Sequence, residues 1–201
     1  MLKKLIGVLA LCLALSPLGA FAQSAPGDAG AFIQGLGDQA IKIIRSSESQ
    51  PQRKADFSKL FTTGFDVPAI GKFVLGHYWR EATPEQQQEY LKLFGQYVVA
   101  IYAERFSNYQ GEEFKVQTSK PEDGGTATVM SLITKPSGGP PIHIDWRVAQ
   151  EGGTYKIIDV KAENLSMSVT QREEFASVIS QHGGNIQGLI DVLKQKVSSA
   201  P

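Results

Sequence analysis

A double change of period constrains this chain most. Apolar residues recur at helical spacing as far as Gly111, alternate with polar ones from Phe114 to Ala162, and return to helical spacing after Thr170. A spacing of three and four keeps one helix face apolar, whereas alternation keeps one face of a strand apolar. Helices, then strands, then helices predict an α+β domain whose sheet buries one face under helices.

The leading block holds Phe32, Ile33, Leu36, Ala40, Ile41, Ile43 and Ile44 on a first helix. Pro51 opens a second, with Phe57, Leu60 and Phe61. Asp66 suits the N-cap of a short third helix carrying Ile70, Phe73 and Val74, with Gly76 near its end. Thr83-Pro84-Glu85-Gln86 combines an N-cap, a first-turn proline and a capping box. That signal predicts a helix running to about residue 107, roughly 36 Å long. One stripe of it carries Tyr90, Phe94, Tyr97 and Ile101, and a neighbouring stripe carries Leu91, Val98, Tyr102 and Phe106. So wide an apolar face implies contact on several sides.

Strands are expected around Phe114 and Val116, over Thr126–Thr134, over Ile142–Val148 and over Tyr155–Ala162. Their separators are turn-like, and Gly152-Gly153 marks a tight hairpin. The result is a four-stranded antiparallel meander. Thr170-Gln171-Arg172-Glu173 reads as a capping box for a helix that ends at Gly183-Gly184, and Asn185 caps the last helix, with Ile186, Leu189, Ile190, Leu193 and Val197.

The N-terminus reads as a secretory signal. Lys3 and Lys4 precede an apolar run over Leu5–Leu15, shorter than the ~20 residues that span a bilayer. Ser16, Pro17 and Gly19 break it, and Ala20-Phe21-Ala22 offers a small-x-small site, so cleavage is expected after Ala22. Residues 1–22 are then the signal, 23–30 a flexible leader and 31–201 one domain. The single cysteine, Cys12, falls in the signal behind the bulky Leu11, so it suits neither lipidation nor any disulfide, metal site or nucleophile of the mature chain. With 20 basic against 20 acidic residues the chain carries no net charge, and losing Lys3 and Lys4 leaves the mature balance at 18 against 20. A nucleic-acid binder would carry a basic excess.

Catalytic candidates are sparse. There is no phosphate-cradling glycine loop, and His77, His143 and His182 lie too far apart in sequence to chelate a metal locally. His143 and Asp145 share a strand face and could act as a base with its orienter, or simply form the polar face opposite Ile142, Ile144, Trp146 and Val148. Asp159, between Ile158 and Val160, is either a buried acid or a hydrogen-bonded structural group. Glu85 and Glu89 share a helix face of the kind usually solvated. His77-Tyr78-Trp79-Arg80 suits either a pocket rim that meets a charged head group or ordinary interhelix packing.

Four stretches carry a resemblance. Phe65 to Gly76, the helix with Tyr90, Leu93, Phe94 and Tyr97, and Ile158-Asp159-Val160 running into Asn164-Leu165-Ser166-Met167-Ser168 resemble the MlaC, or toluene-tolerance, family of periplasmic lipid-binding proteins. The tail from Thr170 through Gly183-Gly184 to Ile190 resembles it too. One departure is Glu163-Asn164-Leu165, where many members read Glu-Gly-Val. Trp79-Arg80 and residues 168–184 look closer to members associated with hopanoid biosynthesis.

The resemblance implies helices packed on a curved sheet, a cone with an internal lipid cavity. It implies a carrier of phospholipid, or of a hopanoid-like polycyclic lipid, between an inner-membrane ABC-transporter complex and an outer-membrane lipoprotein complex. It implies no catalytic group, metal or cofactor. The expected lining is Phe73, Val74, Tyr78 and Trp79; Phe94, Tyr97, Val98 and Ile101 on the long helix; and Val129, Ile144, Trp146 and Val148 on the sheet. The rival class is a cone-shaped isomerase or dehydratase, which needs His143, Asp145 or Asp159 facing the cavity.

Overall fold

Capping residues set most helix boundaries in the computed structural model, which describes residues 27–106 and 109–199. The expected signal and its cleavage site lie outside the described residues. Helix α1 spans Gly27–Arg45 and α2 spans Gln50–Gly64, the latter capped by Ser49, whose hydroxyl accepts the Gln52 N–H. Asp66 accepts the Ala69 N–H at 2.9 Å and starts α3, Val67–Leu75. A single turn, α4 (Tyr78–Glu81), leads to α5, Pro84–Phe106. The Thr83–Gln86 capping box forms both ways: the Gln86 N–H donates to Thr83 and the Thr83 N–H donates to Gln86. Residue 107, where α5 was expected to end, lies outside the described residues.

The expected leader reaches Gly30, yet α1 already begins at Gly27. Ala29 and Ile33 are buried against the sheet, and an added Cβ on Gly30 would lie 3.7 Å from Ser119 and Val116. Burial holds this turn helical despite the glycine's poor propensity.

Strands β1 (Glu113–Glu122), β2 (Thr126–Thr134), β3 (Ile142–Glu151), β4 (Thr154–Ala162) and β5 (Leu165–Ser166) pair in chain order, all antiparallel. The meander therefore has a fifth, two-residue strand beyond the four expected. It arises because Glu163 and Asn164 both take the left-handed conformation, with φ of 49° and 65°, and close a tight turn between Ala162 and Leu165. Glu163 is fixed there: its N–H donates to the His143 carbonyl, and its carboxylate accepts the His143 N–H at 2.7 Å. Asn164 stands where glycine would be unstrained. Asn164→Gly is expected to stabilise the fold by about 0.5 kcal/mol, read as a higher denaturant midpoint at unchanged slope.

Helix α6 (Met167–Gln181) starts earlier than the Thr170 capping box suggests. Ser166 is the cap and accepts the Val169 N–H, while the Thr170 hydroxyl donates to the Ser166 carbonyl from inside the first turn. Asp159 decides between the two caps, because its carboxylate already holds Ser166 and Ser168 in place. Helix α7 covers Ile186–Ser199.

Two separate apolar clusters result. One is wholly helical: Tyr90, Leu93, Phe94 and Tyr97 of α5 meet Phe175 and Ile179 of α6 and Leu189, Ile190 and Leu193 of α7. The other presses Ala29 and Ile33 of α1 onto Ala127, Val129, Val148 and Ile157 of the sheet. Close crossing of α3 over α5 needs Gly71, where a Cβ would come within 2.7 Å of Leu91. The Tyr90 hydroxyl donates to the Gly71 carbonyl at 2.9 Å, and burial pushes its pKa well above the usual tyrosine value, so it remains a neutral donor.

Candidate functional site

Between the two clusters lies a cavity of about 830 Å³. The register shows how the sheet shapes it. Phe114, Ile133 and Ile142 form one inward row; Val116, Ser131, Ile144 and Ala162 the next; Val129, Trp146 and Val160 a third. Ala127, Val148 and Ile157 make a fourth. Val129, Val148 and Ile157, together with Ile33, leave almost no surface exposed, so this end is closed. Six residues separate Ile142 from Val148, which at about 3.4 Å each gives a depth near 20 Å.

Helices supply the opposite wall. Ile33, Leu36, Gly37, Ala40, Ile41 and Ile44 of α1 line it, as do Phe57, Leu60 and Phe61 of α2, Ile70 and Val74 of α3, and Phe94, Val98 and Tyr102 of α5. Gly37 is required at this wall, since a Cβ there would sit 2.3 Å from the Phe114 ring. Phe114 in turn meets Trp146 edge-on, with centroids 6.0 Å apart. The Trp146 indole N–H donates to Ser131 at 2.8 Å, and the Ser131 hydroxyl donates to the Ile144 carbonyl. A polar pair buried in the sheet is thus mutually satisfied, and the indole offers the cavity only its apolar surface.

Five of the twelve residues expected to line a cavity do so: Val74, Phe94, Val98, Ile144 and Trp146. Val129 and Val148 lie beneath its closed end instead, packed against α1. Tyr97 turns towards Phe175 at 5.9 Å and under Lys196, and Ile101 packs on the helical cluster. Burial raises the Tyr97 pKa, with a smaller contribution from the nearby Glu174. Tyr78 and Trp79 also pack against the helical cluster, and Trp79 has Lys72 over its ring at 6.0 Å. Phe73 is 45% exposed beneath the Arg172 guanidinium. The aromatic stretch is therefore interhelix packing, not the rim. A helix as wide in its apolar face as α5 serves two neighbours, and sequence spacing does not say which stripe faces which.

The α1 and α2 lining was missed, although its signal exists. Gly37 and Ala40 interrupt a stripe of large residues on α1, and small residues on an inner stripe leave room. Leu36, Ile41 and Ile44 stay half-buried because they face space.

Acid–base chemistry finds little here. His143 and Asp145 point away from the lining row of Ile142, Ile144 and Trp146, as alternation requires. Asp159 borders the cavity, but its carboxylate accepts the hydroxyls of Ser166 and Ser168, both at 2.7 Å, and the Ser168 N–H at 3.2 Å. That is the hydrogen-bonded structural Asp of the two alternatives. Glu89 pairs with Lys194 at 2.8 Å on the surface. Among the described residues no group of His, Cys, Asp or Glu could hold a metal ion. His143→Ala and Asp145→Ala should each change stability by under about 0.5 kcal/mol and leave any bound ligand in place, checked by thermal unfolding and by mass spectrometry of the extracted ligand.

The family described as MlaC protein matches residues 34–195. The intermembrane phospholipid transport system binding protein MlaC of Haemophilus influenzae is 23% identical over 175 residues, covering 83% of this chain and 81% of that protein. The toluene tolerance protein ttg2D of Pseudomonas putida is 24% identical over 200 residues, covering 96% of this chain and 91% of that protein. The fold matches a phospholipid-binding protein from Ralstonia solanacearum, solved in complex with a phospholipid, with a TM-score of 0.75 at 22% identity, covering 86% of this chain and 98% of the other.

Proposed function

The chain belongs to the MlaC family, and from that premise we propose that it is a periplasmic carrier whose cavity encloses the acyl chains of a phospholipid. It is a lipid-binding transport protein, not an enzyme. The observation that carries the reading is the shape and chemistry of the cavity: deep, closed at one end and walled almost wholly by apolar side chains.

A depth near 20 Å exceeds half the ~30 Å hydrocarbon core of a bilayer, so a full acyl chain fits lengthwise. At about 0.8 kcal/mol per buried methylene, ten of them contribute roughly 8 kcal/mol. That gross gain is of the size of a micromolar binding free energy, so the wall needs no polar specificity to retain a chain.

The proposal extends to partners. The protein would shuttle its lipid between an inner-membrane ABC-transporter complex and an outer-membrane lipoprotein complex, and reach the periplasm through the signal at residues 1–22. Purification from periplasmic extract followed by solvent extraction and mass spectrometry is the test. Diacyl phospholipid at near-stoichiometric amount is expected. A polycyclic lipid instead, or no lipid, contradicts the reading of the cargo.

A further inference from the structure

The charged residues of the lining have a distinct distribution. Glu112, Glu113 and Lys135 border the cavity, and register puts all three at one end of the sheet, since Glu113 lies opposite Thr134, the residue before Lys135. That end is the open one, opposite the buried floor of Val129, Val148 and Ile157. The remaining lining carboxylate, Asp159, is taken up by Ser166 and Ser168.

We propose that this mouth selects lipids whose headgroup carries both a phosphodiester and an ammonium, with Lys135 meeting the phosphate and Glu112 the ammonium. The inference rests on the lipid-carrier reading of the same cavity. A chain lying along the sheet with its methyl end at the floor brings its headgroup to this rim. Among the described residues Lys135 is in no ion pair. The Gln110 N–H donates to the Glu112 carboxylate at 2.8 Å and holds its pKa below the usual value, aided by the charge of Lys135, so Glu112 is fixed in place and ionised. The Tyr109 hydroxyl donates to the Glu112 carbonyl at 3.0 Å and stiffens the same loop.

Charge count then separates headgroups. The Glu112 carboxylate and the Lys135 ammonium together carry no net charge. A headgroup bearing only a phosphate meets one attraction and one repulsion. A zwitterionic headgroup meets attraction at both of its ends. Lys42 and Arg45, in the last turn of α1, are exposed and do not line the cavity.

The test exchanges the purified protein against vesicles of equimolar phosphatidylethanolamine and phosphatidylglycerol with matched acyl chains, then counts bound lipids by mass spectrometry. Exposed ion pairs of this kind imply an enrichment of phosphatidylethanolamine of about two- to fivefold at low salt. It should shrink near 1 M salt, where charges are screened within about 3 Å. The variant E112Q should bring the ratio to parity or below. Binding at the input ratio by the unaltered protein, or full enrichment by E112Q, overturns the headgroup proposal alone. Failure to take up either lipid overturns the carrier reading along with it.

Discussion

Leu60→Asp should strip the protein of lipid while leaving it folded. Leu60 lines the cavity from α2, is half-buried and belongs to neither packed cluster. A carboxylate there is tolerated when the cavity holds water, and opposes an acyl chain because a charge in contact with hydrocarbon is expensive. At least a tenfold fall in co-purified lipid is expected, equivalent to about 1.4 kcal/mol. Ile101→Asp is its counterpart. Ile101 packs on the helical cluster, so the same change should cost about 1–3 kcal/mol of stability and lower the unfolding temperature. Lipid content per folded molecule should follow Leu60 and not Ile101. Equal lipid loss in both variants at equal stability would mean that the cavity wall lies on the other stripe of α5.

The largest stability effect should come from Tyr90. Its ring is fully buried between Phe94 and Phe175, and its hydroxyl satisfies the Gly71 carbonyl where α3 crosses α5. Tyr90→Ala should cost about 3–5 kcal/mol, the range for emptying a buried aromatic site. Tyr90→Phe isolates the hydrogen bond and should cost about 1–2 kcal/mol through the unsatisfied carbonyl. Chemical denaturation of both variants checks the pair. A Phe variant as damaging as Ala would mean that the hydroxyl, not the ring, organises this crossing.

These two sites show what the sequence made legible. The Thr83–Gln86 box, Asp66 and Gly152-Gly153 are local signals with local causes, and each formed the cap or turn its chemistry predicts. Strand alternation put His143 and Asp145 opposite Trp146 without reference to any other element, because a pleat admits only two faces. The partition of the long helix was not legible. Tyr90 and Tyr97 share a stripe with Phe94, yet Phe94 reaches the cavity while Tyr97 meets Phe175 and Lys196. Which neighbour each residue meets depends on α6 and α7, some 80 residues further along the chain.

The start of α6 failed for a similar reason. Thr170-Gln171-Arg172-Glu173 carries a sound local capping pattern, but Asp159 on β4 stabilises the cap at Ser166 from a distance. The left-handed pair Glu163-Asn164 was a departure visible in the sequence whose outcome, a fifth strand, depended on the His143 backbone across the sheet. The α1 lining is the most instructive omission: the stripe was plain, but its neighbours, and the space between, belong to the tertiary fold.

The central claim is that acyl chains occupy the space between the α1–α2 pair and the sheet. Phospholipid carrying a photoreactive group near the end of one acyl chain tests it most directly, with cross-linked residues mapped by peptide mass spectrometry. Adducts are expected on cavity residues such as Leu60, Val98 and Trp146. Adducts confined to the exposed apolar residues Phe73, Leu165 and Val169 would contradict the account.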